Sequence, residues 1–114
     1  MSDILTQAQV EKAITQETKR LRELVEELGP ATADAANLDA DWKVAAAQAR
    51  INARIGGASS DKRAEDLALV STEGLRRDSL LAEAKVSTLR EALRASQARL
   101  SAFQSLLGSI VRVT

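Results

Sequence analysis

Residues 75–110 read LRRDSLLAEAKVSTLREALRASQARLSAFQSLLGSI, and the spacing of their apolar positions decides the fold. From Leu75 through Ser79, Ala82, Val86, Leu89, Leu93, Ser96, Leu100, Phe103, Leu107 and Ile110, the steps alternate four and three without a slip. That is the heptad spacing of a coiled-coil seam, held over about five repeats. A second line, Leu81, Ala84, Thr88, Ala92, Ala95, Ala102 and Leu106, runs beside it and is mostly small. The spacing predicts a long helix needing partners along its whole length. Copies of the chain are the expected partners, with Val86, Leu89, Leu93, Leu100, Phe103, Leu107 and Ile110 as the oligomerisation residues.

Working back toward the N-terminus, Thr6 is placed to cap a first helix whose face is traced by Val10, Ile14, Leu21, Leu24 and Leu28. Gly29-Pro30 then reads as a stop, because proline lacks the N–H that would continue the ladder. A second, alanine-rich helix follows to Ile55, ended by Gly56-Gly57-Ala58-Ser59-Ser60. Ser59 or Ser60 caps the third, with Asp61, Glu65 and Asp66 in its early turns; Gly74 costs it about 1 kcal/mol against alanine, a place where the helix can bend near Ser71-Thr72-Glu73-Gly74 without ending. The expected architecture is one all-α domain over residues 1–114, with helices at about 6–28, 31–55 and 60–110, the last as an oligomeric coiled coil. On this reading the last helix, roughly 75 Å long, outruns two companions of roughly 35 Å each.

Composition narrows the function classes. Trp42 and Phe103 are the only aromatics, and a core this poor in large side chains favours oligomerisation as the remedy. Without cysteine or histidine the chain lacks thiolate sites, the usual general base and the usual zinc ligand. The acids are scattered over helix surfaces, and Gly56-Gly57 lacks the following lysine of a phosphate loop. No enzymatic activity, cofactor or metal is expected. No apolar run approaches the roughly 20 residues of a membrane span, so a soluble, cytoplasmic protein is expected.

Charge is uneven although the net is zero. Residues 1–42 hold nine acids and four bases, and residues 43–114 hold seven acids and twelve bases. On the second helix Ala31, Ala35, Leu38, Trp42, Ala45 and Ala49 form one apolar line, while Val44, Ile51 and Ile55 form another roughly 200° around the axis. Between them runs a basic stripe of Lys43, Arg50 and Arg54. Lys43 has Asp39 one turn earlier; the two arginines have no acid within helical reach. Two readings fit the stripe: solvated charge that pairs with the acidic first helix, or contact with the phosphates of a polyanion.

The run Ala49-Arg50-Ile51, followed by Gly56-Gly57, resembles the basic helix and glycine-containing loop of small helical proteins of tailed phages grouped with the UvsY recombination mediators. Leu75 to Arg112, with Leu80-Leu81, Leu89, Leu93 and Ile110-Val111-Arg112, is similar to that family's C-terminal assembly helix. The resemblance covers residues 35–112. It departs at Gln48, where the family tends to have lysine, and in lacking aromatics before the glycine loop. It implies homo-oligomers that bind single-stranded DNA and assist a RecA-type recombinase on strands held by single-strand binding protein, in a bacterial host during phage infection. The family's DNA contact falls on Arg50, with Lys43 and Arg54 as neighbours on the same stripe. The alternative is a structural or chaperone-like helical oligomer that touches only protein.

Overall fold

A computed structural model describes residues 5–113, and among these every regular element is a helix. Helix α1 runs Gln7–Ile55, α2 runs Asp61–Ser71 and α3 runs Glu73–Val113. None of them is long and apolar enough to cross a membrane.

The expected stop at Gly29-Pro30 does not occur: α1 is one helix of 49 residues with Pro30 inside it. Its buried and half-buried positions explain why. Val10, Ile14, Glu17, Leu21, Leu24, Leu28, Ala31, Ala35, Leu38, Trp42, Ala45 and Ala49 keep the same alternation of four and three straight through the Gly-Pro pair. An interior proline costs about 3 kcal/mol. Here it lies on the exposed face, where the Glu26 carbonyl that loses its partner can bond to water. Leu24 and Ala31, on either side of the pair, are 2% and 5% exposed, each packed within its own unit.

Both ends of α1 are sealed by local chemistry. Thr6 and Gln9 form a reciprocal capping box: Thr6 N–H donates to Gln9 Oε1 at 2.8 Å, and Gln9 N–H donates to Thr6 Oγ1 at 3.2 Å. At the other end Gly57 takes φ +98°, so that Ala58 N–H reaches Ala53 O and Gly57 N–H reaches Arg54 O. Ser60 then caps α2 by accepting from Arg63 N–H at 3.1 Å.

The single helix expected over 60–110 is two, α2 and α3, interrupted at one residue, Thr72. Its Oγ1 and N–H both donate to Ala68 O, at 2.7 and 3.0 Å, and Ser71 Oγ donates to the same carbonyl at 3.1 Å. Hydroxyls bonding back to that carbonyl open the ladder.

Two compact units divide the residues, 5–29 with 88–113 and 30–87. In the first, Val10, Leu24, Leu89 and Ser96 are buried, with Leu93, Leu100, Phe103, Leu107 and Ile110 half-buried along the α3 seam. Among the described residues of that unit, the start of α1 is the helix that packs against this part of α3. In the second unit Ala31, Ala35, Ala64, Ala68, Thr72, Ser79 and Val86 are buried. Its helices run antiparallel: Arg54 meets Asp61 next to the turn, and Arg76 reaches Trp42 further along.

Candidate functional site

The basic stripe lies in the second unit, on a helix whose alanines allow close approach. Lys43, Arg50 and Arg54 share one side of α1, and the structure surrounds them with acid. Lys43 Nζ lies 2.8 Å from Asp39 Oδ2, and Trp42 Nε1 donates to Asp39 Oδ1 at 3.2 Å. The Lys43 hydrogen bond, helped by the Trp42 N–H and the Lys43 charge, outweighs desolvation and holds the Asp39 carboxyl below its ordinary value. Arg54 Nε lies 3.6 Å from Asp61 Oδ1, and its guanidinium donates to Ala58 O at 2.8 Å.

Arg50 is different. Among the described residues it makes no ion pair, and it borders two grooves of this unit. One groove, of about 370 Å³, is lined by Trp42, Lys43, Ala46, Arg50, Glu65 and Leu69 among others; the second, of about 440 Å³, by Arg50, Ile51, Arg54, Ile55, Asp61 and Glu65. Glu65 borders both, so the stripe is not a field of one sign. Arg76 lies over the Trp42 ring, 4.6 Å from its centroid, a cation–π contact that occupies a ring face.

The α1 line on the far side of the stripe from the seam is open. Val44, Ile51 and Ile55 are 70%, 52% and 81% exposed.

The first unit holds a polar layer that apolar patterning passes over. Glu17, at a seam position of α1, accepts from Arg99 Nε at 2.7 Å while its side chain is 14% exposed. Burial pushes its carboxyl up, but the Arg99 hydrogen bond, the nearby Ser96 hydroxyl and the charges of Arg99 and Arg20 prevail and hold it below its ordinary value. Ser96 Oγ is buried without a hydrogen bond of good geometry, yet it sits near enough to the carboxylate to favour its charge.

Sequence spacing found the stripe and the Lys43–Asp39 pair. It missed Arg54–Asp61 because the pair closes across the Gly57 turn, although a capped α2 starting at Asp61 was a signal that this acid would fold back. Arg76 on Trp42 and Arg99 on Glu17 depend on how two helices are aligned, which spacing within one helix does not encode. No family model matches the chain, and neither a curated protein nor a solved structure matches it significantly.

Proposed function

We propose that this chain is a non-enzymatic helical protein that works by assembling with copies of itself, through contact with protein. The observation that carries this reading is an inversion of size in the second unit. Its buried positions are mainly alanine, serine and threonine, while Val44, Ile51, Ile55 and Val70 are turned to solvent. Exposed apolar side chains repeated along one helix mark a surface that sheds water when another molecule covers it. Covering Val44, Ile51 and Ile55 contributes on the order of 4 kcal/mol per copy before the cost of ordering. Pairing of Lys43 and Arg54 with the chain's own acids supports the same reading, since it leaves Arg50 as the stripe's one cation without an acid partner among the described residues.

The test is light scattering behind a sizing column on wild type and on the Val44→Glu/Ile51→Glu variant. Wild type elutes as an oligomer, and the variant as a single chain with unchanged helical circular dichroism. A wild type that scatters as one chain at tens of micromolar, or a variant that assembles normally, refutes the reading.

Arg50 favours a second reading, the single-stranded DNA mediator of the UvsY type acting through Lys43, Arg50 and Arg54 beside a RecA-type recombinase. Its guanidinium is without an acid partner among the described residues and borders two grooves. That reading requires salt-sensitive retention of an oligonucleotide at low ionic strength, lost in Arg50→Glu.

A further inference from the structure

Between α1 and α2 the facing residues fall into levels. Arg54 meets Asp61 beside the turn; one helical turn on, Arg50 and Glu65 come level, and beyond them Ala46 and Ala47 face Ala68. Alanine methyls on both helices leave a gap where longer side chains stand above and below. That gap is the groove of about 370 Å³, with Trp42 and Leu69 as its large apolar walls. Pockets for small ligands run roughly from 300 to 1,000 Å³, so the groove holds one small molecule.

Two observations define what fits. Trp42 is held before any ligand arrives, because its Nε1 donates to Asp39 and Arg76 lies over its ring. A wall fixed in advance lowers the ordering cost of binding. The second observation is charge. Arg50 and Glu65 border the groove from opposite helices, and among the described residues neither forms an ion pair, with the other or elsewhere. Lys43, the remaining charge at the rim, already has Asp39. One unmatched cation and one unmatched anion thus stand together at one end of an apolar trough.

We propose that this groove binds a free α-amino acid with an apolar side chain. Its carboxylate lies against the Arg50 guanidinium, whose planar fork offers two parallel N–H donors, and its ammonium lies against Glu65. The side chain runs over Ala46, Ala47 and Ala68 toward Trp42. A fatty acid would meet repulsion from Glu65, and an alkyl amine would meet it from Arg50; a zwitterion satisfies both. The proposal goes beyond the assembly reading and does not depend on it, since one chain supplies every wall.

Trp42 is the only tryptophan, so its emission reports on the groove. The full chain is titrated at low salt with L-leucine, with isocaproate, which lacks the ammonium, and with isoamylamine, which lacks the carboxylate. Leucine is expected to shift the emission saturably with a half-point in the millimolar range or below, and each analogue to bind roughly fivefold more weakly or worse. Arg50→Gln and Glu65→Gln alter exposed side chains and are each expected to weaken leucine by a similar factor. Ala47→Leu fills the trough and is expected to abolish the shift, with helical circular dichroism unchanged in all three variants. No saturable response to leucine, equal binding of the three probes, or undiminished binding in both charge variants overturns the proposal. The scattering test of assembly stands whichever way this titration falls.

Discussion

Gly29→Ala distinguishes a helix that passes through the Gly-Pro pair from one that ends there. Among the described residues the only glycine with positive φ is Gly57, and a Cβ built on Gly29 meets nothing within 4 Å. Alanine in such an exposed helix interior is worth about 1 kcal/mol over glycine. For a chain of this size that is a rise of about 4 °C in the midpoint of thermal unfolding. Pro30→Ala restores the N–H that can reach the Glu26 carbonyl and is expected to add up to about 3 kcal/mol. Both are measured by thermal circular dichroism at one fixed protein concentration, because assembly would otherwise move the midpoint. A fall in stability for Gly29→Ala refutes the reasoning. That outcome belongs to a left-handed terminal glycine, and it would divide α1 and reopen the question of what covers the α3 seam.

Other substitutions separate buried from exposed apolar residues and probe the polar layer. Leu24→Ala, at 2% exposure, is expected to cost about 2–5 kcal/mol in chemical denaturation, and Val25→Ala beside it under about 0.5 kcal/mol. Equal costs would contradict the heptad phase of α1. Gly57→Ala forces a side chain into φ +98° and is expected to lose about 1 kcal/mol or more by the same measurement, the opposite sign to Gly29→Ala. Glu17 has a lowered folded value, so its contribution is present above the ordinary carboxylate value of 4.5 and fades as pH falls through the folded one. The stability deficit of Glu17→Gln should therefore be full near neutral pH and close in strong acid; a constant deficit would contradict the Arg99 pairing.

Much of the fold was legible because local rules and periodicity agreed. Thr6, Gly56-Gly57 and the Ser59-Ser60 pair marked helix ends, and the α3 seam from Ser79 to Ile110 is the face that is buried or half-buried. Pro30 was misread because a local breaker was weighed without asking whether the heptad phase survived it. Leu24, Leu28, Ala31 and Ala35 carried that information: they keep step, which a true terminus has no reason to preserve. Glu17 escaped notice because a carboxylate at a seam position looks like an interruption until Arg99 is placed beside it. The site was legible as a stripe and an apolar line on α1. Its neutralisation was not, since Asp61 and Glu65 arrive from another helix.

The central claim is that Val44, Ile51 and Ile55 stand uncovered on one chain because another copy covers them. Sedimentation equilibrium of the unmodified protein across the micromolar range tests this most directly. The account predicts a species of at least twice the single-chain mass whose share grows with concentration. One species at the single-chain mass throughout that range would contradict it.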